Sequence, residues 1–283
     1  MNLCVYRPLP RFLPVSLSGD CMLQCRHCAG RYLRGMTRVD GGGGLLRLSR
    51  RLERMGGTGM LISGGSDREG RILHLEGVLD ALRRIKKRGN LVIAVHPGLV
   101  DGTLAAALAD ACHVAFTDVV GEETTVQQVI GAGSVAGYLN SVRFLLEAGI
   151  AVTPHLTVGL HYGHIRGEFR ALSLLRDMPV EKVVVNIIRP TPGTPFARVP
   201  VPAVVDVVEI IDQCRRRGWR PVLGCMRPRG RPDVERAAID AGVEDLAVPS
   251  PQALAYARRR GAALRTVPAC CGLPGHLLPT TED

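Results

Sequence analysis

Short apolar runs alternate along this chain with longer segments in which apolar residues recur at helical spacing. Each apolar run is bounded by Gly, Pro or polar residues, which is typical of buried strands. Several of the longer segments end at a glycine, the residue favoured just after a helix. The predicted strands are 13–18, 59–63, 91–95, 113–120, 151–158, 183–188, 220–223 and 246–248, and the predicted helices are 45–55, 75–88, 103–109, 134–148, 168–176, 204–217, 234–241 and 251–260.

This alternation predicts an α/β protein. Parallel strands joined by helices close into a barrel when the unit repeats eight times, so we expect a (β/α)8 TIM-type barrel, complete or nearly so. No linker rich in Pro or Ser divides the chain, which predicts one domain over 1–283: an irregular arm (1–11), the barrel (12–261) and a tail (262–283). The run at 40–44 is an aspartate followed by four glycines, and it predicts a flexible turn.

Composition and charge narrow the class of protein. Hydrophobic residues make up 46% of the chain, enough for a sizeable core, and 36 basic against 26 acidic residues give a net charge of +10. A basic surface suits an acidic partner. The basic residues are scattered and form no stripe studded with aromatic residues, so we expect no nucleic acid. No long uninterrupted apolar segment or signal peptide is present, so we expect no membrane association.

Three of the nine cysteines, Cys21, Cys25 and Cys28, lie within eight residues directly after the first strand. We call residues 21–28 the cysteine loop. Three thiolates leave one position open on a four-iron cluster, and an open position is where a cluster does chemistry. A closed zinc site is the alternative, but His27 is the only nearby fourth ligand. Free thiols in a metal-like pattern also predict a reducing, cytoplasmic location.

Further polar residues and glycines fall at the predicted carboxyl ends of the strands, where barrel enzymes carry their working groups. Each has a structural explanation when taken alone, because paired glycines serve as turns and a histidine in a strand can be a core residue. Their collection at one rim predicts a functional site. The residues concerned are Gly64, Gly65, Ser66, His96, Asp118, His155, His161, His164, Arg189, Thr191, Cys225 and Arg227.

The cysteine spacing, with a glycine pair after the second strand, resembles the radical S-adenosylmethionine superfamily. The resemblance implies that the three cysteines hold a [4Fe-4S] cluster and that S-adenosylmethionine (SAM) chelates its open iron. Reductive cleavage of SAM would then give a 5′-deoxyadenosyl radical. Two positions depart from the pattern: His27 stands for the usual aromatic residue before the third cysteine, and Ser66 for the usual Glu after the glycines.

The segments 158–163, 189–195 and 223–230 resemble the biotin-synthase-like branch, and nearly the whole chain resembles the two-protein lipoyl synthases. This implies sulfur insertion into an octanoyl chain carried on a lysine of an acidic lipoyl carrier protein. It also implies a second radical SAM subunit and an external electron donor. The residues assigned to SAM by the resemblance are His27, Gly64, Gly65, Ser66, His96, Asp118, His155, Gly159 and Arg189.

Sulfur insertion of this kind implies a second, sacrificial cluster. Cys112 and Cys214 lie among apolar residues and are expected to be core thiols. The remaining four would suffice for an auxiliary [4Fe-4S] cluster, although two of them are adjacent; the structural alternative is a set of thiols in a loose tail. These candidate ligands are Cys4, Cys225, Cys270 and Cys271.

Two other functions stay open on the sequence alone. Another biotin-synthase-like enzyme would act on a small molecule, such as a cofactor or hydrogenase-maturation precursor, and would not need the second cluster. A non-catalytic iron–sulfur or zinc protein would have a fully ligated metal and would not cleave SAM.

Overall fold

The computed structural model describes residues 2–279 and shows a single sheet of eleven parallel strands. Met1 and the last four residues of the predicted tail lie outside this range. The strands are β1 (Asn2–Tyr6), β2 (Phe12–Ser16), β3 (Thr37–Arg38), β4 (Gly59–Ser63), β5 (Val92–Val95), β6 (Val114–Asp118), β7 (Ala151–Val158), β8 (Lys182–Ile187), β9 (Arg220–Leu223), β10 (Asp245–Ala247) and β11 (Ala263–Val267).

The strand order is β11-β1-β10-β9-β8-β7-β6-β5-β4-β2-β3. The eight predicted strands correspond to β2 and β4 to β10, and they lie side by side in chain order. With β3 and β11 as its two edges, the sheet forms a nearly complete TIM-type barrel, as predicted. The arm and the tail are less irregular than predicted, because β1 and β11 extend the sheet beyond β10.

Nine α-helices lie within the described residues, and eight of them pack on the outside of the sheet. The nine are α1 (Gly41–Arg54), α2 (Leu79–Arg88), α3 (Gly102–Leu108), α4 (Glu123–Thr125, continued by a π-helical turn Val126–Ile130), α5 (Val135–Glu147), α6 (Glu168–Leu174), α7 (Val204–Arg216), α8 (Pro232–Asp240) and α9 (Pro251–Arg259). The sequence predicts eight of these and not α4.

The prediction of a flexible turn at 40–44 is wrong, because the four glycines form the first turn of α1. Glycine is a poor helix former. Here the buried side chains of Leu45 and Leu52 hold the helix against the core. A Cβ on Gly42 would lie 3.2 Å from the Cβ of Ala81 in α2, so a small residue also lets the two helices approach.

Alternate residues of each strand face two separate apolar layers. Residues such as Ile62, Ile93 and Val185 contact the helices in the outer core. Residues such as Phe116 and Val222 point into the barrel and form an inner core. The inner core closes the barrel below the carboxyl ends of the strands.

The chain that follows β11 enters this inner core. Ala269, Cys271 and Leu273 are buried there. The ammonium group of Lys182 donates a hydrogen bond of 2.8 Å to the carbonyl oxygen of Leu273, and Thr153 Oγ1 donates one of 2.8 Å to that of Gly272. We call residues 268–278 the inner segment, because it fills the barrel from within.

No single helix within the described residues has the length and apolar character to cross a membrane. The bent pair Glu123–Ile130 and Val135–Glu147, with 96° between its halves, meets those two criteria only when the halves are taken together.

Candidate active site

The cysteine loop joins β2 to a short 3₁₀ helix, Arg31–Gly35, at the carboxyl end of the barrel. The Sγ atoms of Cys25 and Cys28 and a ring nitrogen of His27 lie within 4.8 Å of one another. Cys21 is not part of that group. A hydrogen bond from the Cys25 thiol, followed by one from the ring of His27, lowers the pKa of the Cys28 thiol below its usual value. Cys28 is therefore readily available as a thiolate ligand.

Close backbone packing holds the cysteine loop against the end of β4. A Cβ on Gly65 would lie 1.9 Å from the carbonyl oxygen of Asp20, so only glycine permits this contact. The N–H of Gly65 donates a hydrogen bond of 2.7 Å to Ser18 Oγ, and the N–H of Ser66 donates one of 3.3 Å to Cys21 Sγ. The sequence suggests that the glycine pair admits a bound ligand. In the structure, however, the space at Gly65 is occupied by the protein's own backbone at the start of the cysteine loop.

His27 and Arg189 meet at the aromatic ring of Tyr32. The ring of His27 lies 6.0 Å from that of Tyr32 and 6.2 Å from that of Phe196, measured between centroids. The guanidinium carbon of Arg189 lies 4.6 Å from the centroid of Tyr32, a cation–π distance. His27 therefore packs among aromatic rings, as the aromatic residue that it replaces in the superfamily pattern could also do.

His96, Asp118 and His155 come together on the inner face of β5, β6 and β7, three neighbouring strands. Their ligand atoms all lie within 4.8 Å of one another. Burial disfavours a charged His96, but the nearby carboxylate of Asp118 outweighs it, so the pKa of His96 is raised. Burial and the charge on His96 lower the pKa of His155 to about 3. The side chain of Asp118 keeps 48% of its surface open to the cleft, although the histidines surround its carboxylate.

Five buried side-chain nitrogen or oxygen atoms have no hydrogen-bond partner within residues 2–279. An unpaired buried polar atom costs roughly 1–3 kcal/mol, so such atoms are few in native proteins. Four of the five belong to residues that surround the cleft at the carboxyl end of the barrel. This concentration fits a polar ligand with amino, carboxylate and hydroxyl groups, such as SAM. The four atoms are His27 Nδ1, Arg31 Nε, His155 Nε2 and Arg189 Nε; the fifth is Thr117 Oγ1.

Gly159 lies in the turn after β7, and the structure explains it by packing. Its φ is +77°, and a Cβ would lie 2.4 Å from Pro202 Cγ. Its N–H donates a hydrogen bond of 2.7 Å to the buried carboxylate of Glu168. These contacts are sufficient to explain why residue 159 is a glycine. Its contact with SAM stays a prediction.

The four thiols predicted to hold an auxiliary cluster are not gathered at one point. Cys4 pairs with Asp245 at the start of β10, and Asp245 pairs with Val222 in β9. Cys225 lies two residues beyond the carboxyl end of β9, whereas Cys4 lies at the level of the start of β10. Cys225 is exposed, whereas Cys271 lies in the inner core with 4% of its surface exposed. No three of the four have sulfurs within 4.8 Å of one another in the described chain.

The predicted core thiols Cys112 and Cys214 are buried in the outer core, as expected. Sequence reasoning misses Arg31, Tyr32 and Phe196, which surround His27 and Arg189. The sequence could have indicated Arg31 and Tyr32, because only two residues separate them from the cysteine loop. Phe196 comes close only through the fold.

No family model matches the chain, and no curated protein matches it. Solved structures do match. Methylornithine synthase (PylB) superposes with a TM-score of 0.63 over 88% of this chain and 73% of its own, at 15% identity. A radical SAM methyltransferase from Sphaerobacter thermophilus superposes with a TM-score of 0.59 over 83% of this chain and 69% of its own, at 17% identity.

The chain has the fold of the radical SAM enzymes. Streptococcus suis SuiB, solved with bound S-adenosylmethionine, superposes with a TM-score of 0.58 at 13% identity, over 81% of this chain. The chain spans only 52% of SuiB. A structure solved with bound SAM shares this fold, which agrees with the predicted [4Fe-4S] cluster and SAM. None of the three proteins is a lipoyl synthase by name.

Proposed function

We propose that this chain is a radical SAM enzyme in which Cys21, Cys25 and Cys28 hold a [4Fe-4S] cluster. The observation that carries the proposal is the cysteine loop at the barrel mouth, facing a cleft that collects unpartnered buried polar atoms. When bound, the cluster and SAM supply a 5′-deoxyadenosyl radical, with the electron coming from an external donor. The residues of the chain provide position and exclude water.

The roles of the residues follow from their contacts. The N–H of Ser66 orients Cys21, and Gly65 lets the cysteine loop approach β4. The unpartnered nitrogens of His27 and Arg189 are placed to bind polar groups of SAM. The inner core below the cleft keeps bulk water from the floor of the site. The remaining SAM contacts proposed from the resemblance are Gly64, His96, Asp118, His155 and Gly159.

The substrate proposed is a protein-bound octanoyl chain, into which the enzyme inserts sulfur as one component of a lipoyl synthase. The resemblance of segments 158–163, 189–195 and 223–230 supports this substrate. Exposed arginines in the loops after β2, β4, β8 and β9 suit an acidic lipoyl carrier, and electrostatic steering would speed its arrival. A second radical SAM subunit and a reducing, cytoplasmic location belong to the same proposal. The arginines are Arg26, Arg34, Arg68, Arg198 and Arg229.

Anaerobic reconstitution followed by iron and sulfide counting tests the cluster. We expect about four irons per chain for one cluster and about eight if an auxiliary cluster is also present. With SAM and a reductant the protein should release 5′-deoxyadenosine. Cys25→Ala should abolish the release, whereas Cys112→Ala, which removes a thiol of the outer core, should keep it. Zinc alone at the cysteine loop would contradict the proposal and would favour a non-catalytic protein.

An octanoyl-lysyl carrier domain tests the substrate. Mass spectrometry should detect sulfur incorporation when the partner subunit is present, and raising the ionic strength should weaken carrier binding. A flat response to salt would contradict electrostatic steering. Turnover of a free small molecule without sulfur transfer would favour the second candidate, a small-molecule enzyme of the same fold, as the name methylornithine synthase suggests for PylB.

A sacrificial auxiliary cluster held by Cys4, Cys225, Cys270 and Cys271 remains part of the proposal. Because these thiols are spread along the barrel, such a cluster requires the inner segment, which carries Cys270 and Cys271, to move toward Cys225. Iron counts near four in both the intact chain and Cys225→Ser would rule it out.

A further inference from the structure

A second group of ligand-type side chains lies apart from the three cysteines. His96 directly follows β5, Asp118 ends β6, and His155 lies in β7. Asp118 and His155 are partners in the register of β6 and β7. All three side chains therefore point into the barrel from neighbouring strands, and their ligand atoms converge within 4.8 Å.

Hydrogen bonding within the group does not account for this convergence. His155 Nε2 is buried and has no partner. His96 Nε2 lies 3.6 Å from Asp118 Oδ2, longer than a good hydrogen bond between a nitrogen and a carboxylate. The three ligand atoms thus meet at one point with a single loose contact among them, the His96–Asp118 ion pair, and His155 Nε2 takes no part in it.

The ring of His155 is also held in place. Phe116 stacks on it with a centroid distance of 5.1 Å and an interplanar angle of 27°. Phe116 also lies against the inner segment, where a Cβ on Gly272 would come within 2.8 Å of the ring. A packed ring presents its nitrogen in a fixed direction, as a preorganised ligand must.

We propose that His96, Asp118 and His155 bind one divalent first-row transition-metal ion, such as Zn²⁺ or Fe²⁺. Two imidazoles and one carboxylate are a donor set that these ions favour, and three protein ligands leave open positions for an exogenous group. Asp118 is open to the cleft, so those positions face the space beside the cysteine loop. The ion would take an oxygen, nitrogen or sulfur atom of the substrate as a further ligand.

This inference replaces direct contact with SAM as the role of these three residues, and it does not depend on the radical reaction. The two roles predict different measurements. If the three residues bind a metal, removal of one ligand should release the ion, and any change in SAM binding should follow from that loss. A SAM contact loses SAM affinity and has no effect on metal binding.

The test uses Co²⁺ as a spectroscopic probe, added to protein whose cysteine loop already carries its cluster. We expect one equivalent to bind with ligand-field bands of nitrogen and oxygen ligands and without thiolate charge transfer. Asp118→Asn and His155→Gln should each weaken Co²⁺ binding at least tenfold. His161→Gln is the matched control, because His161 lies at the same rim but bonds to Thr125, and it should bind Co²⁺ as the parent does.

Asp118→Asn keeps the shape of the side chain and should fold normally. The test therefore remains valid even if His155→Gln fails to fold. Unchanged cluster content and melting temperature confirm that each variant is folded. Equal Co²⁺ affinity in Asp118→Asn and the parent would overturn the proposal. So would thiolate charge transfer in the bound Co²⁺, or loss of SAM binding in both variants with Co²⁺ binding intact.

Discussion

Gly65 approaches Asp20 so closely that a Cβ would lie 1.9 Å from the Asp20 carbonyl oxygen. This contact joins the end of β4 to the start of the cysteine loop, and it fixes where the first thiol is presented. The position of the cluster thus depends on a missing side chain in another element.

Gly65→Ala should displace the cysteine loop, because the added methyl group cannot fit beside the Asp20 backbone. We expect a loss of stability of about 1–3 kcal/mol from overpacking, and most of the bound iron should be lost. Iron content and melting temperature measure the two effects. Gly35→Ala is the control, since a Cβ there meets no atom within 4 Å. Full iron content in Gly65→Ala would show that the loop tolerates displacement.

Lys182→Met should release the inner segment. The buried ammonium lies 3.4 Å from Asp245 Oδ2 and bonds to the carbonyl oxygen of Leu273, so its removal takes away a buried charge partner and an anchor. Asp245 keeps Arg220 as a charge partner, so we expect a loss of about 1–3 kcal/mol, from the unpaired carbonyl of Leu273, and faster proteolysis within 268–278. Lys87→Met, an exposed change on α2, should leave both unchanged. An inner segment that stays protected in Lys182→Met would show that Thr153 and the apolar contacts suffice.

Thiol alkylation should separate the cysteines by burial. Burial raises the pKa of Cys112 and Cys214 to about 12, so neither should react at pH 8 until the protein unfolds. Cys225 is exposed and should react in cluster-free protein, but slowly, because desolvation and the neighbouring Cys271 raise its pKa to about 11. Mass mapping of the labelled peptides reads this out. Protection of Cys225 after reconstitution would indicate a cluster ligand, whereas unchanged labelling would place it outside any cluster.

His113 should make stability sensitive to mild acid. Its Nδ1 accepts a hydrogen bond of 2.9 Å from the N–H of Ile93, and burial, followed by the charge of Lys86, lowers its pKa below the usual 6.5. The unfolded chain therefore takes up the proton first, and stability is lost as the pH falls below about 6.5. The change in melting temperature between pH 7.5 and 5.5 should be smaller in His113→Gln than in the parent. The exposed His276→Gln should change nothing, and equal pH dependence in all three proteins would argue against His113.

The strands of the barrel can be predicted from sequence because buried parallel strands are nearly continuous apolar runs. The bounds of β4 and β7 agree with the prediction to the residue. β11 is missed because it is an edge strand with polar residues, and β1 because only five residues separate it from β2. The prediction of a turn at the glycine run is wrong because it rests on local helix propensity alone. Packing of α1 on α2 stabilises the helix there, and that contact cannot be inferred from propensity.

The site can be predicted only as far as chain order places residues at strand ends. The cysteine spacing and the rim positions of His96, Asp118 and His155 follow from that order. The approach of Gly65 to Asp20 and the stacking of Phe116 on His155 depend on how strands and loops pack in three dimensions. The distribution of the four remaining thiols along the barrel also needs the register of β1, β10 and β9.

The place of β1 in the sheet has a consequence for the order of folding. β1 lies between β10 and β11, so Cys4 pairs with Asp245 and Arg265, more than two hundred residues later in the chain. Closing so long a loop costs entropy that local pairing does not. During synthesis β2 and β4 to β10 can pair as each emerges, whereas β1 must wait for its neighbours. β1 is therefore expected to dock later than the strands that follow it, and a ribosome-bound chain should carry it undocked until β10 and β11 have formed.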